Sequence, residues 1–191
     1  MNLEESMNKY YAGIGSKELP EGMESLINAI GRRMAEKGYI LRSGAADGAD
    51  NAFEQGCVTA NGKADIYLPW RGFKGRWTNS GEVEFIEPIE GQREISRQIM
   101  IDLGIITYWD KMSETSQKFH SRNVNQVEGR EGEPDVSVVI YYAPTEWISD
   151  EPTGGTRTAV MLARIKGIPT YNLFDEVEKG KLLKILKMEE E

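Results

Sequence analysis

Three short glycine-bearing segments of this sequence contain residue types that could hold a phosphate group. They are residues 13–16 (GIGS), 42–50 (RSGAADGAD) and 153–158 (TGGTRT). Glycine lets the backbone approach a ligand closely, and free N–H groups at a helix N-terminus favour an anion. Three such loops indicate a pocket for an anionic small molecule. Glycines in tight turns and threonines at helix starts also occur without any ligand, so each loop taken alone has a purely structural alternative.

The side chains of these loops suggest separate roles in such a pocket. We expect the phosphate to be held by the last loop, where hydroxyl and guanidinium donors accompany two glycines: Gly154, Gly155, Thr156, Arg157 and Thr158. We expect the sugar or base to be held by the middle loop, through Arg42, Ser43, Gly44, Asp47 and Asp50. The first loop would close the pocket with Gly13, Gly15 and Ser16. Asp47 and Asp50 are also the candidate catalytic carboxylates, although both could simply complement a helix N-terminus.

The segment 120–127 (HSRNVNQV) is a further candidate. On a helix, Arg122 and Gln126 are neighbours four residues apart and Asn123 lies beside them, so the three could grip a phosphate and a base edge. The alternative is an ordinary solvated helix face. His120 could donate a proton, but no G-x-S-x-G segment supports a Ser/His/Asp triad.

Composition and motif spacing exclude several classes of protein. The chain has one cysteine and one histidine, so it cannot form a disulfide framework, a Cys/His zinc site or a multi-histidine centre, and we expect neither a metal nor a cofactor. The first loop departs from G-x-G-x-x-G at Glu18, and no G-x-x-x-x-G-K-[ST] segment is present, which disfavours a dehydrogenase or an ATPase. The net charge of -8 opposes general attraction to DNA.

Short apolar runs alternate with segments of helical periodicity, a pattern typical of βα units on a parallel sheet. It predicts strands at 10–14, 39–41, 64–68, 136–142 and 169–173. It predicts helices at 23–34, 48–55, 91–104, 113–128, 154–167 and about 175–188. We therefore expect one α/β domain over residues 1–191, a Rossmann-like three-layer sandwich with a mainly parallel central sheet. The glycine loops would meet at its carboxyl edge, with the pocket at the ends of strands 10–14 and 136–142.

The stretch from about 69 to 90 breaks this alternation, so we interpret it as a long loop or an insertion. It interleaves aromatic and cationic residues, a pattern that suits base stacking in nucleic-acid binding: Trp70, Arg71, Phe73, Lys74, Arg76 and Trp77. Because the chain is acidic, we favour aromatics that fold back on the sheet or line the small-ligand pocket.

The three loops, taken as residues 13–16, 43–50 and 154–159, resemble in order and spacing the motifs of the Rossmann-like SLOG superfamily. That group includes the DNA-processing protein A (DprA/Smf) proteins and the LOG nucleotide phosphoribohydrolases. The chain particularly resembles small DprA-like proteins of bacteriophages, which also carry segments like Leu68-Pro69-Trp70 and like residues 120–127. The resemblance covers roughly residues 9 to 174.

The resemblance implies a nucleotide or nucleotide-derived ligand, with N-glycosidic hydrolysis, single-stranded DNA binding or signal sensing as the known outcomes. The LOG motif P-G-G-x-G-T-x-x-E, laid over residues 153–161, puts Arg157 at the third glycine and Met161 at the glutamate. A methionine cannot relay a proton or accept a ribose hydrogen bond as a carboxylate does. LOG-type hydrolysis is therefore disfavoured, while another route through Asp47 or Asp50 stays open.

Three hypotheses follow. The first is a protein that binds a nucleotide-derived signalling molecule, and a viral version of it would sequester a host immune signal. The second is a DprA-like single-stranded DNA-binding recombination mediator, and the third is a nucleotide N-glycosidase. We find no signal peptide and no apolar run long enough to span a bilayer, so we expect a cytoplasmic protein without membrane contact, in the host cytoplasm if viral. The resemblance also implies a homo-oligomer.

Overall fold

The computed structural model of the protein describes residues 9–145, 152 and 155–188. The strands in these ranges are β1 (Lys9–Gly15), β2 (Tyr39–Ser43), β3 (Ala64–Tyr67), β4 (Val83–Ile86), β5 (Val138–Tyr142) and β6 (Thr170–Asn172). The α-helices are α1 (Met23–Glu36), α2 (Ala49–Thr59), α3 (Gln92–Asp102), α4 (Glu114–Glu128), α5 (Thr156–Ile165) and α6 (Glu176–Leu186). Short 3-10 turns lie at Phe73–Gly75 and Trp109–Lys111.

The six strands form one sheet in the order β4-β3-β2-β1-β5-β6, and every neighbouring pair is parallel. In the centre, Tyr11 of β1 is opposite Leu41 of β2, and Gly15 of β1 is opposite Tyr142 of β5. The strand order reverses at β1, so the loops that follow β1 and β5 leave a crevice at the carboxyl edge. The parallel Rossmann-like sheet predicted from the sequence is confirmed.

Alternate side chains of the strands pack against two separate helical layers. Tyr11 and Ile140 lie in a core with α1, α2 and α6, whereas Ala12 and Val139 lie in a core with α3, α4 and α5. Because both faces of the sheet are covered, a central strand such as β5 is almost continuously apolar. Cys57 is fully buried in the first of these cores, as expected of a small apolar residue, and burial raises the pKa of its thiol to about 11.

The stretch interpreted as a long loop contains a strand that the sequence pattern missed. β4 pairs with β3 at the edge of the sheet, and Val83 is its one buried residue. With four residues, β4 is too short to give a periodic signal, and very short edge strands resist pairing with other chains. Among the helices within the described ranges, none combines the length and the apolar character that a bilayer span requires.

Candidate functional site

A pocket with a volume of ≈ 670 Å³ lies at the carboxyl ends of β1 and β5, where the sequence predicted it. We call it the switch-point pocket. Its walls come from the loops after β1 and β2, from α4, from the turn that contains Phe73 and Lys74, and from the start of α5. Parallel strands deliver all of these segments to one edge of the sheet, so residues distant in sequence meet there.

The structure places about half of the predicted ligand-binding residues in this pocket. Those that line it are Gly15, Ser16, Asp50, Arg122, Asn123, Gln126, Gly155 and Thr156. His120, the candidate proton donor, lines it as well. Those that do not line it are Gly13, Arg42, Ser43, Gly44, Asp47, Arg157 and Thr158. Gly154 lies outside the described residues.

Arg122 is the central cation of the switch-point pocket. Its Nη1 donates to the carbonyl oxygen of Gly44 at 2.8 Å, and its Nε and Nη2 donate to Oδ1 of Asn123 at 3.1 and 2.8 Å. These bonds use three of the five N–H groups of a guanidinium, which leaves two for a ligand. Its neighbours therefore hold the guanidinium in a fixed orientation, with donors still available.

Two further residues hold this arrangement together. Asn123 is 3% exposed, and its Nδ2 donates to the carbonyl oxygen of Gly155 at 2.7 Å, so its amide links Arg122 to the start of α5. Gly44 lies under the guanidinium: a Cβ at that position would come within 2.5 Å of Cζ of Arg122. Gly44 therefore supports Arg122 through its carbonyl and its lack of a side chain, and it does not line the pocket.

Gln126 is a buried amide without a partner in the described part of the chain. It is 1% exposed, it lines the switch-point pocket, and its Nε2 makes no hydrogen bond to any described residue. A buried amide of this kind costs free energy when it has no partner, so native structures nearly always satisfy it with protein, water or ligand. Gln126 thus has a buried donor that water or a ligand in the pocket could satisfy.

His120 lines the same pocket as Gln126, and Thr158 holds its ring in place. Nδ1 of His120 is 2.6 Å from Oγ1 of Thr158, which is itself 1% exposed. This bond uses Nδ1, so Nε2 is the ring nitrogen available to a ligand. Burial, and secondarily the charge of Arg122, lowers the pKa of His120 below 6.5, so the imidazole is neutral at pH 7.

Asp50 occupies the backbone donors that the first glycine loop would offer to a phosphate. Its Oδ1 accepts from the N–H of Gly15 at 3.1 Å, and its Oδ2 accepts from the N–H of Ala46 at 3.4 Å. The next donor, the N–H of Ser16, bonds to the carbonyl oxygen of Tyr142 at 2.8 Å. Asp50 is 2% exposed, and burial raises the pKa of its carboxyl. These backbone donors are therefore already occupied, and the donors of the pocket that remain open among the described residues lie at Arg122 and Gln126.

Several residues expected to touch the ligand have structural roles instead. Gly13 lies against the ring of Phe53, where a Cβ would approach Cγ to 2.6 Å, and its carbonyl accepts from Oγ of Ser43 at 2.6 Å. Arg157 donates to the carbonyl oxygen of Ile105 at 2.8 Å, away from the pocket. Gly13 and Arg157 thus contact the protein itself and do not line the pocket.

Arg42 is fully buried beneath the sheet edge and does not line the pocket. Its Nη2 forms an ion pair with Glu133 at 2.9 Å, its Nη1 donates to the carbonyl oxygen of Pro134 at 2.8 Å, and its guanidinium stacks on Tyr10 at 3.8 Å. Because a sequence pattern cannot tell which face of the sheet a strand-end side chain takes, the expectation for Arg42 was wrong. Asp47 is exposed and forms an ion pair with Lys74, which lowers the pKa of its carboxyl.

An aromatic wall lies next to Arg122, and of its three rings Phe119 is the one that the sequence did not indicate. The rings of Trp70, Phe73 and Phe119 pack edge to face, with centroid distances of 4.9, 5.5 and 5.8 Å. The guanidinium of Arg122 lies 5.4 Å from the ring of Phe119, and Nζ of Lys17 lies 5.8 Å from it. The available signal was the spacing of Phe119 and Arg122, since residues three apart are neighbours on a helix.

Comparisons with known proteins identify the fold. No family profile matches the chain, and no curated protein matches it by sequence. The structure of the molybdenum cofactor binding protein from the phototrophic bacterium Rippkaea orientalis is similar, with a TM-score of 0.54 and 16% identity over 95% of this chain and 87% of that one. The molybdenum cofactor carrier protein from Chlamydomonas reinhardtii gives a TM-score of 0.50 and 16% identity over 93% and 84%.

A DNA-binding protein shares the same architecture. DNA processing protein A from Helicobacter pylori, described for its single-stranded DNA binding mode, gives a TM-score of 0.53 and 14% identity over 95% of this chain and 74% of that one. At these identities the likeness shows the fold alone. The fold is that of DNA processing protein A, as the sequence resemblance implied, and it occurs in a molybdenum cofactor binding protein as well as in a single-stranded DNA-binding one.

Proposed function

We propose that this protein binds a small anionic molecule of the nucleotide type in the switch-point pocket and holds it without turnover. The observation that carries the proposal is the convergence of unused donors at one wall. Two N–H groups of Arg122 and the buried amide of Gln126 have no partner among the described residues, and both residues line the same pocket. Buried donors of this kind are normally satisfied, and an anionic ligand would satisfy them together.

The charge distribution supports an anion. The whole chain carries -8, yet the pocket is lined by Lys17 and Arg122 against the carboxylates Glu18 and Asp50, while a third lining cation, Lys74, is paired with Asp47. Burial raises the pKa of Asp50, which favours its neutral form more than in water, and the start of α5 adds the positive end of a helix dipole at Gly155. A local excess of positive charge in an acidic protein selects a small anion rather than an extended polyanion.

The aromatic side of the pocket supports a ring-bearing ligand. Phe73 and Phe119 both line it, next to the guanidinium of Arg122 and the neutral imidazole of His120. A nucleobase could pack against the phenyl rings while Gln126 and Nε2 of His120 bond to its edge and Arg122 binds its phosphate. The small-molecule binding of the molybdenum cofactor proteins with this fold fits the same use of the architecture.

The biological purpose we propose is sequestration. The resemblance to small DprA-like proteins of bacteriophages favours a nucleotide-derived immune signal of the host as the bound compound, and a protein without turnover would lower its free concentration. Such a protein has to bind tightly and release its ligand unchanged. Mass spectrometry of small molecules released by denaturing the protein, purified from cells that carry active nucleotide-signalling defence, tests both requirements.

The binding test compares two arginine variants by isothermal titration calorimetry against a panel of nucleotides, cyclic dinucleotides and ADP-ribose derivatives. Arg122→Lys keeps the charge but loses the planar fork, so we expect about a 10- to 100-fold loss of affinity. The matched control is Arg32→Lys, because Arg32 is exposed on α1 and pairs only with Glu36 among the described residues. It should bind like the wild type.

A second variant tests the location of the ligand from the start of α5. Gly155→Asp places a carboxylate at the start of α5, where a Cβ has only Nδ2 of Asn123 near it, at 3.3 Å. The substitution should therefore fold normally and abolish binding of an anion through like-charge repulsion. Full binding by Gly155→Asp and by Arg122→Lys would show that the ligand lies elsewhere, and no binding by the wild type to any compound, with none released on denaturation, would refute the proposal.

Single-stranded DNA is the second candidate, and exposed aromatics favour it. Trp77 is 67% exposed and Trp70 is 36% exposed in the loop after β3, and a DNA processing protein shares the fold. Against it, the cations of this loop are engaged, since Lys74 pairs with Asp47 and Arg76 pairs with Glu54 at 2.5 Å. A DNA complex would weaken by orders of magnitude between about 50 and 200 mM salt, whereas a pocket ligand would lose little. Gel retardation across that range separates the two.

A further inference from the structure

A second, larger cavity lies on the other side of Arg122. Its volume is ≈ 820 Å³, and its walls come from the loop after β3, the segment 87–94, the turn at Trp109 and α4. Arg122 lines this cavity as well as the switch-point pocket. The aromatic wall also separates the two spaces, because Trp70 lines the second cavity and Phe73 and Phe119 line the switch-point pocket.

Helix α4 presents a different row of polar side chains to each space. Gln117, Ser121 and Asn125, which are spaced by four residues and so share one side of the helix, line the second cavity. His120, Asn123 and Gln126 line the switch-point pocket, and Arg122 lies between the rows. The helix therefore forms a polar wall common to both spaces, with its cation at the boundary.

The row that faces the second cavity has unused hydrogen-bonding groups. Ser121 is 3% exposed, and its Oγ has no partner in the described part of the chain. Nε2 of Gln117 donates to the carbonyl oxygen of Trp109 at 3.1 Å, and Oδ1 of Asn125 accepts from Nε2 of Gln92 at 2.9 Å. Oε1 of Gln117 and Nδ2 of Asn125 have no partner among the described residues and remain as an acceptor and a donor on either side of the buried hydroxyl. Residues eight apart on a helix are separated by about 12 Å along its axis, so the edge of a nucleobase would pair with Ser121 and one of these two amides.

The peripheral cations of the second cavity are paired within the protein, while Glu90, which also lines it, has no ion pair among the described residues. The pairs are Arg71 with Glu87 at 3.5 Å, Arg93 with Glu114 at 3.1 Å, Arg97 with Asp110 at 3.1 Å and Lys118 with Glu114 at 3.0 Å. Arg122 differs, because its hydrogen bonds go to an amide and a carbonyl and it makes no ion pair among the described residues. The arrangement fits a neutral ring in the cavity and an anion at its boundary.

We infer that the two spaces form one bipartite site, which binds a ligand with two ring systems joined through phosphate. The phosphate lies at Arg122, one base lies in the switch-point pocket against Phe73 and Phe119, and the other base lies in the second cavity against Gln117, Ser121 and Asn125. This inference rests on the proposed function and narrows its ligand class from nucleotides in general to dinucleotides. Each space falls within the volume range of a small-molecule site, about 300 to 1,000 Å³.

Calorimetry with three defined compounds tests the inference: adenosine monophosphate, adenylyl-(3′-5′)-adenosine and P1,P2-di(adenosine-5′) diphosphate. One of the two dinucleotides should bind at least about tenfold more tightly than the mononucleotide, because the second base is bound intramolecularly once the first is held. The double variant Gln117→Ala/Asn125→Ala should remove that advantage and leave the mononucleotide affinity within about twofold of wild type. Gln98→Ala is the matched control, since Gln98 is exposed on α3 and lines neither space.

The outcomes separate this inference from the proposed function. If the mononucleotide binds and neither dinucleotide exceeds it, or if the double variant changes nothing, the bipartite site is wrong and the switch-point pocket stands. If none of the three compounds binds while another mononucleotide of the panel does, the bipartite site is likewise wrong and the proposed function stands. A dT oligonucleotide series whose affinity keeps rising beyond two nucleotides would overturn the bipartite site in favour of single-stranded DNA. Far-ultraviolet circular dichroism of each variant verifies that it is folded.

Discussion

Asn123 offers a direct test of how the site is built, because its amide makes three hydrogen bonds that Asn123→Ala removes. Two of them come from the Arg122 guanidinium and one goes to the carbonyl oxygen of Gly155. A hydrogen bond to a charged group contributes about 1.5 to 3 kcal/mol and a neutral one about 1 kcal/mol. Since water from the open pocket can replace part of this, we expect the free energy of unfolding to fall by about 2 to 3 kcal/mol.

The substitution Asn123→Asp separates stability from ligand binding. The carboxylate keeps the acceptor for Arg122 and loses only the donor to Gly155, so the free energy of unfolding should change by less than about 1 kcal/mol. It also pairs the one unpaired guanidinium of the pocket, so the affinity for an anion should fall by at least about tenfold. Asn123→Ala should lower affinity too, because it frees the guanidinium to reorient.

Urea denaturation and calorimetric titration measure these two effects. A loss of 2 to 3 kcal/mol corresponds to a decrease in Tm of about 4 to 12 °C for a chain of this length. The control is Asn51→Ala on α2, a half-buried asparagine whose side chain makes no hydrogen bond to the described residues, and it should shift stability by less than about 0.5 kcal/mol. If Asn123→Ala behaves like this control, Asn123 does not hold Arg122 in solution and the account of the site is wrong.

Three other predictions concern the same site. Gly44→Ala should lower stability by about 1 to 3 kcal/mol in urea and also weaken ligand binding, because its Cβ displaces the Arg122 guanidinium; a variant with wild-type affinity would contradict this. The pKa of His120 is lowered in the folded protein, so its contribution to stability is complete above pH 6.5 and is lost as the pH falls below that value; His120→Gln should flatten this dependence in urea titrations. Prolonged incubation with bound nucleotide should return it intact by mass spectrometry, and free base released by the wild type but not by Asp50→Asn would establish a glycosidase instead.

The sequence predicted the scaffold well because its apolar periodicities are strong and its glycine loops have fixed places in a parallel sheet. The elements around β1, β5, α1 and α4 fall within a few residues of their predicted positions. The apolar pattern did not predict β4, because a four-residue edge strand is too short to leave a periodic signal. The site was predicted in part. Helical spacing identified Arg122, and the position of Gly155 between a predicted strand and a predicted helix identified the start of α5.

Sequence could not decide which edge residues face the pocket. Arg42 and Asp50 belong to the same predicted segment, 42–50, yet Arg42, in β2, pairs with Glu133 while Asp50, in the first turn of α2, accepts from the backbone of Gly15. The difference depends on which backbone and charged groups lie nearby after folding, and these come from segments far apart in the chain. For the same reason the aromatic wall, assembled from Trp70 and Phe119, has no counterpart in any contiguous motif.

The carboxylate of Asp50 acts as a resident counterpart of the anion that a glycine loop would otherwise receive. Related glycine motifs can therefore lead to different ligand orientations, depending on whether an acidic side chain already satisfies the loop. Replacing Asp50 by serine would expose the N–H groups of Gly15 and Ala46 and open a second place for phosphate at the first turn of α2. A single position at the start of α2 thus sets whether the backbone donors of Gly15 and Ala46 are open to an anion, which gives this scaffold a simple route to new ligand selectivity.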